Sequence, residues 1–318
     1  MWPWRERETL PPVDAARLAR SARALRLRSR REAAGALAGA WRAAFRGGGI
    51  EFEESRPYTP GDDLRTLDWN ATARLGEPFV KRFREERDQT LLLLLDVSAS
   101  MDFAAGHGAK ASAGARAAAL VAAAAGHARD RVGLVTFDAA VRDEMPPRRG
   151  RRHAERAIEF ALRAARAPAG GTALADALAR TGPRGLGRRR GIVFLISDFR
   201  DPSLLDPGSA AAGALAAAAR RHDVVAVIVF DPREEALPEG GRVRLRDPEA
   251  GGRSLVLRTG DPQVRARYAA AAELRRRLLE RRLRRAGADV CWLSTERDPL
   301  RALQLFLVLR GIPRRGAA

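Results

Sequence analysis

The chain has 318 residues, 46% of them hydrophobic, enough to bury a sizeable core and too many for wholesale disorder. Its one cysteine, Cys291, excludes an internal disulfide and any cysteine-rich zinc site. The formal net charge is +19, from 58 Lys and Arg against 39 Asp and Glu; such a charge favours polyanionic partners, or else reflects a general preference for Arg and Ala.

Taken in chain order, Leu18, Leu25, Leu37, Trp41 and Phe45 form an interrupted apolar stripe that predicts helix over residues 13–45. Gly47-Gly48-Gly49 ends it. No Lys-Ser or Lys-Thr follows these glycines, so they read as a turn rather than a phosphate-binding loop. Residues 50–88 are polar, aromatic and turn-rich, with Pro60-Gly61-Asp62-Asp63 as a tight turn.

From residue 91 onward strands alternate with helices. Strands are expected at 91–96, 132–138, 191–197, 224–230 and 289–294, an edge strand near 140–145, and a further strand at 254–258. Helices are expected near 109–129, 151–165, 174–181, 209–221, 262–286 and 298–310. This alternation predicts a mainly parallel sheet covered on both faces. The Ala-rich run 111–128, broken by Arg116, reads as a helix whose small side chains allow close approach to a sheet. Two domains are expected: an accessory region over 1–88 and an α/β domain over 89–312.

The chemistry concentrates where strands end. Leu91–Leu95 runs straight into Asp96-Val97-Ser98-Ala99-Ser100-Met101. If the backbone stays extended, residues 96, 98 and 100 share one side, at the end of the strand where open α/β sheets bind ligands. Carboxylate and hydroxyl oxygens are what hard cations such as Mg²⁺ prefer. Gly170-Gly171-Thr172 offers another hydroxyl before a helix, and Asp198 ends the run Gly191–Ser197. Taken singly, each of these residues is also what caps a helix.

Asp96, Ser98, Ser100, Thr172 and Asp198, in that order, resemble the metal-ion-dependent adhesion site of von Willebrand factor A domains. The resemblance implies Mg²⁺, with Mn²⁺ or Ca²⁺ as alternatives. It implies that Ser98, Ser100 and Thr172 hold the ion, that Asp96 and Asp198 act through water, and that one position stays open for a partner's acidic group. The stretch Arg56-Pro57-Tyr58-Thr59-Pro60-Gly61-Asp62-Asp63-Leu64-Arg65-Thr66-Leu67-Asp68-Trp69, followed by Thr72-Ala73-Arg74, Val80-Lys81-Arg82-Phe83 and Glu86-Arg87, adds a second likeness. Together with Asp96-x-Ser98-x-Ser100-Met101 it resembles domain-of-unknown-function family fifty-eight. Members of that family are typically encoded beside MoxR-type AAA+ ATPases, and many carry transmembrane helices. The two resemblances imply an α/β, von Willebrand A-like fold with an N-terminal helical and turn-rich accessory region. They also imply a non-enzymatic adaptor that docks a MoxR-type ATPase or its client protein. Tyr58, Asp62, Asp63, Arg65, Asp68 and Trp69 are expected mainly to clamp their segment onto the sheet domain.

Two other functions stay open. The run Glu273–Arg285 is dense in Arg, with Leu274, Leu278, Leu279 and Leu283 at helical spacing toward the sheet; its outer face suits nucleic acid or another polyanion, although no aromatics interleave it. A metal-dependent phosphatase would use Asp96 as nucleophile, but Ser98 stands where such enzymes place a second carboxylate for proton transfer. No Gly-x-Ser-x-Gly and no His-Glu-x-x-His occurs. No apolar run is long enough to span a membrane and the N-terminus lacks the order of a secretory signal, so the expected setting is cytoplasmic.

Overall fold

Leu91 to Leu95 are all buried, at most 1% exposed. A run that is apolar on both sides is stable only inside a sheet covered on both faces, and each such leucine contributes about 2 kcal/mol by leaving water. This run is the centre of β3 (Thr90–Asp96). The computed structural model describes residues 37–45, 50–85, 89–103, 110–165, 170–183, 185–187, 190–246 and 254–312. Leu18, Leu25, the Gly47–Gly49 turn and the Glu86-Arg87 pair lie outside these residues.

β3 is flanked by β4 (Arg131–Phe137) and β6 (Ile192–Ser197), both parallel to it. β7 (Asp223–Phe230) and β10 (Asp289–Ser294) extend the parallel sheet beyond β6. β5 (Val141–Arg148) closes the other margin antiparallel to β4. The spatial order is β10-β7-β6-β3-β4-β5. The chain starts in the middle, moves to one edge, then crosses back and fills the other side, as in von Willebrand A-like domains.

Alternation along the strands assigns the two faces. Leu92, Leu94 and Leu195 join a core with Leu174 and Leu178 of α5 (Leu174–Ala179), Leu215 of α6 (Ala210–Arg221), and Leu279 and Leu283 of α8 (Pro262–Arg285). The opposite face carries α3 (Lys110–His127), whose alanines are nearly all buried. Beside α3 lie α4 (Arg151–Ala164), α9 (Pro299–Gly311) and α1 (Ala38–Ala44). The expected elements of the sheet region therefore appear within a few residues of their predicted ends. Leu274 and Leu278 do not face the sheet; they are 56% and 42% exposed. Only Leu279 and Leu283 of that stripe are buried, because the helix leans on the sheet through its last turns.

Residues 45–89 form a separate compact unit, whereas α1 packs with the sheet. In this smaller unit β1 (Ile50–Pro57) and β2 (Phe79–Glu85) pair antiparallel, a hairpin not expected from the sequence. Between them lies α2 (Trp69–Leu75). The signature residues bind one another: Arg56 holds Asp62 in a two-pronged ion pair at 2.7 and 2.9 Å. Asp63 caps the 3-10 turn Leu64–Thr66. Asp68 caps α2 and accepts the Ser55 hydroxyl at 2.5 Å. Trp69 is 71% exposed. A short helix α7 (Pro232–Glu235) follows β7, and β8 (Val243–Arg246) pairs with β9 (Ser254–Leu257) as a second hairpin.

Candidate metal centre and its buried lysine

Asp96 ends β3 at the carboxyl rim of the sheet and is wholly buried. One carboxylate oxygen accepts the Ser98 backbone N–H at 2.9 Å and the other accepts the Ser197 hydroxyl at 2.5 Å. Burial raises the pKa of its carboxyl, the negative charge of Asp198 raises it further, and the hydroxyls of Ser197 and Ser98 pull the other way. Burial and Asp198 both disfavour the charged form of Asp96 as long as no cation stands beside it.

The backbone is extended at Ser98, but the extended path expected from the sequence stops there. Residues Ala99–Asp102 wind into a 3-10 turn that starts from Ser98. The turn still brings the two hydroxyls together, with Ser98 Oγ and Ser100 Oγ 3.2 Å apart. Neighbouring ligands in an octahedral Mg²⁺ shell, each about 2.1 Å from the ion, stand about 3 Å apart. The two hydroxyls therefore have the spacing of adjacent ligands, with Asp96 placed behind them.

The turn carrying Thr172 is tied to this loop through its backbone. Ala99 N–H donates to Gly170 O at 3.0 Å, and Ala173 N–H donates to Asp138 O. Gly170 has φ of 69°, which a side chain would strain, and a Cβ there would meet that of Ala139 at 3.3 Å. Thr172 itself is half-buried. Asp138, at the end of β4, lies beside Gly170 and pairs with Arg142. It is a carboxylate of the same rim that the sequence motif did not include.

Asp198 sits one residue past β6 and is also buried. Its Oδ1 accepts the Arg200 backbone N–H at 3.1 Å. Its Oδ2 is 2.6 Å from Lys110 Nζ. Between them Phe199 adopts φ of 52°, a left-handed conformation that costs a non-glycine residue about 1 kcal/mol or more. Three bonds hold that turn: Phe199 N–H to Ser197 Oγ at 2.9 Å, Arg275 Nη2 to Phe199 O at 2.6 Å, and the Arg200 contact.

The structure therefore brings Asp96, Ser98 and Ser100 together, binds the Thr172 turn to them, and gives Asp198 an ammonium partner. The oxygen donors of Ser98, Ser100 and Asp96 suit a hard cation; Asp198 is engaged by Lys110. Sequence reasoning missed Lys110, Glu234, Arg200, Ser197 and Asp138. Lys110 alone left a trace, as one of only two lysines in an Arg-rich chain. Among the described residues no group of three or more His, Cys, Asp and Glu is placed to hold a metal. None of their helices is long and apolar enough to cross a membrane.

The family described as "Protein of unknown function DUF58" matches residues 54–277. The chain belongs to that family. An uncharacterized protein of Mycobacterium bovis is 36% identical over 312 residues, covering 96% of this chain and 92% of its own length. An uncharacterized protein of Mycobacterium tuberculosis matches to the same extent. Among solved structures, the conserved hypothetical protein BatB from Bacteroides thetaiotaomicron aligns with a TM-score of 0.43 and 17% identity, over 69% of this chain and 96% of its own. An aerotolerance-related membrane protein from Bacteroides fragilis aligns with a TM-score of 0.45 and 19% identity, over 70% and 97% of the two chains.

Proposed function

We propose that this DUF58 chain is a non-enzymatic, metal-dependent protein-interaction module that works with a MoxR-type AAA+ ATPase, its client protein, or both. The observation that carries the reading is the 3.2 Å pair of Ser98 and Ser100 hydroxyls set over the buried Asp96 carboxylate. Ser98, Ser100 and Thr172 would hold Mg²⁺, and Asp96 and Asp198 would orient its waters. Bound there, the ion offers an exchangeable position to a Glu or Asp of the partner, so recognition needs no reaction. The partner's identity rests on family resemblance, and the metal on the chemistry of the donors.

The surroundings favour recognition over the alternatives. A phosphatase built on Asp96 would need a second carboxylate two residues on for proton transfer, and Ser98 stands there. Several charges of the Arg-rich helix α8 are paired. Arg277 pairs with Glu273, Arg284 with Glu280 and Arg276 with Glu235, while Arg276 stacks 4.1 Å over Trp292. These contacts engage part of the helix's charge, while Arg267, Arg281 and Arg285 stay exposed.

The test is calorimetric titration of the protein with Mg²⁺, followed by binding of a MoxR-type ATPase from the same genome in Mg²⁺ or EDTA. Wild type should bind both, the ATPase only with metal, and Ser98→Ala/Ser100→Ala should lose both. ATPase binding that is equal in EDTA and in the double variant would overturn the metal-dependent reading.

A further inference from the structure

Lys110 opens helix α3 and its side chain is completely buried. Helix stability does not put it there, because the N-terminal end of a helix is its positive pole. A buried ammonium is tolerated only when carboxylates compensate it, and two do. Nζ lies 2.6 Å from Asp198 Oδ2, and 2.8 and 2.9 Å from the two oxygens of Glu234. Lys110 is thus shared: it touches Asp198 through one oxygen and is chelated by Glu234.

Glu234 is a fixed seat. Its Oε2 also accepts Arg200 Nη2 at 3.1 Å, and its backbone carbonyl accepts the Tyr268 hydroxyl at 2.8 Å. The Phe103 ring lies 5.8 Å from Nζ on the side of the Ser98–Ser100 loop. A cation is therefore already anchored to the one motif carboxylate that comes from β6.

We propose that Lys110 is a tethered cation that competes with a divalent ion for Asp198, and that Glu234 retains the ammonium when Asp198 turns to the ion. This rests on the reading of Asp96, Ser98, Ser100, Thr172 and Asp198 as a metal site. Its consequence is specific: affinity for the ion is set by two residues outside the motif, acting with opposite sign. Removing Lys110 frees Asp198 and removes a like charge beside the ion. Removing the Glu234 charge leaves Lys110 with Asp198 as its only full anionic partner among these contacts, which strengthens the competitor.

The experiment titrates Mg²⁺ calorimetrically, and Mn²⁺ by electron paramagnetic resonance, into full-length wild type, Lys110→Met, Lys110→Gln and Glu234→Gln. Lys110→Met should bind about tenfold tighter or more, as expected for removing one close unit charge from a buried site. Lys110→Gln, which keeps a hydrogen-bond donor without charge, should also bind tighter. Glu234→Gln should bind at least about threefold weaker. Thermal melting in EDTA and in Mg²⁺ checks that each variant folds, and metal should raise the melting temperature of Lys110→Met more than that of wild type. Metal binding by Lys110→Met or Lys110→Gln but not by wild type would support the competition while removing the metal-dependent reading of the native chain. Wild-type binding with unchanged or weaker affinity in both Lys110 variants would overturn the competition and leave that reading standing. No binding by any of the four would overturn both.

Discussion

Trp41 donates its indole N–H to Asp130 Oδ2 at 2.8 Å across 89 residues of sequence. Trp41 lies in α1, and Asp130 in the turn before β4. The same ring stacks on Phe194 of β6, with centroids 5.8 Å apart. One side chain therefore fastens a helix that precedes the 45–89 unit to the sheet that follows it. Trp41→Phe keeps most of the ring and removes the donor facing a carboxylate that is 2% exposed. It should destabilise the protein by about 1–3 kcal/mol, measured as a shift in the urea midpoint with an unchanged slope.

Gly133 of β4 has no room for a side chain. A Cβ there would stand 2.7 Å from the Pro147 ring and 2.9 Å from the Pro147 nitrogen. The nitrogen belongs to backbone, so β5 itself would have to move. Gly133→Ala should cost about 1–3 kcal/mol through overpacking, and amide exchange should show the loss first in β4 and β5.

The sheet region was legible because its signals are local. Leu91–Leu95, Ile192–Ile196 and Val224–Val229 are apolar on both faces, which only a covered parallel strand explains. The β1–β2 hairpin was not legible for the opposite reason. Its strands are separated by a turn, a 3-10 turn and α2, and the alternation of Ile50-Glu51-Phe52-Glu53 is short, ending in the polar run Glu54-Ser55-Arg56. The motif residues at the rim were readable as residue types at strand ends. The ion pairs around them were not, since Lys110 meets Glu234 across 124 positions and no spacing rule reaches that far. The extended path expected through Ser98 and Ser100 missed a 3-10 turn that achieves the same proximity by curling.

Cys291 sits in β10 at 3% exposure, and burial pushes its thiol up to about 12. The folded state holds the thiol proton more tightly than the unfolded chain does. That contribution is present below the ordinary thiol range and is lost as pH rises from about 8.5 toward the folded value. At pH 8 the native protein should not react with a disulfide reagent such as DTNB. Reaction should appear only with unfolding and follow the denaturation curve, and fast labelling of the native form would contradict the buried placement.

Arg310 of α9 reaches back to the first residues of two neighbouring strands. Its Nη1 is 2.5 Å from Asp289 of β10, and its Nη2 is 2.5 Å from both oxygens of Asp223 of β7. Arg310→Met should destabilise by about 1–3 kcal/mol, because two partly buried carboxylates lose a charged donor together. Asp223→Asn/Asp289→Asn combined with Arg310→Met should lose less than the separate changes added, as expected of groups that share one partner. Strict additivity in the denaturation data would show that the three do not act as a unit.

The outermost strand β5 carries Pro146 and Pro147 in succession. Two rungs of its backbone consequently have no hydrogen to give. A strand from another molecule attempting to zip along that margin would meet a break in the ladder midway and could not propagate past it. At high concentration the sheet should therefore resist growing into fibrils from this side.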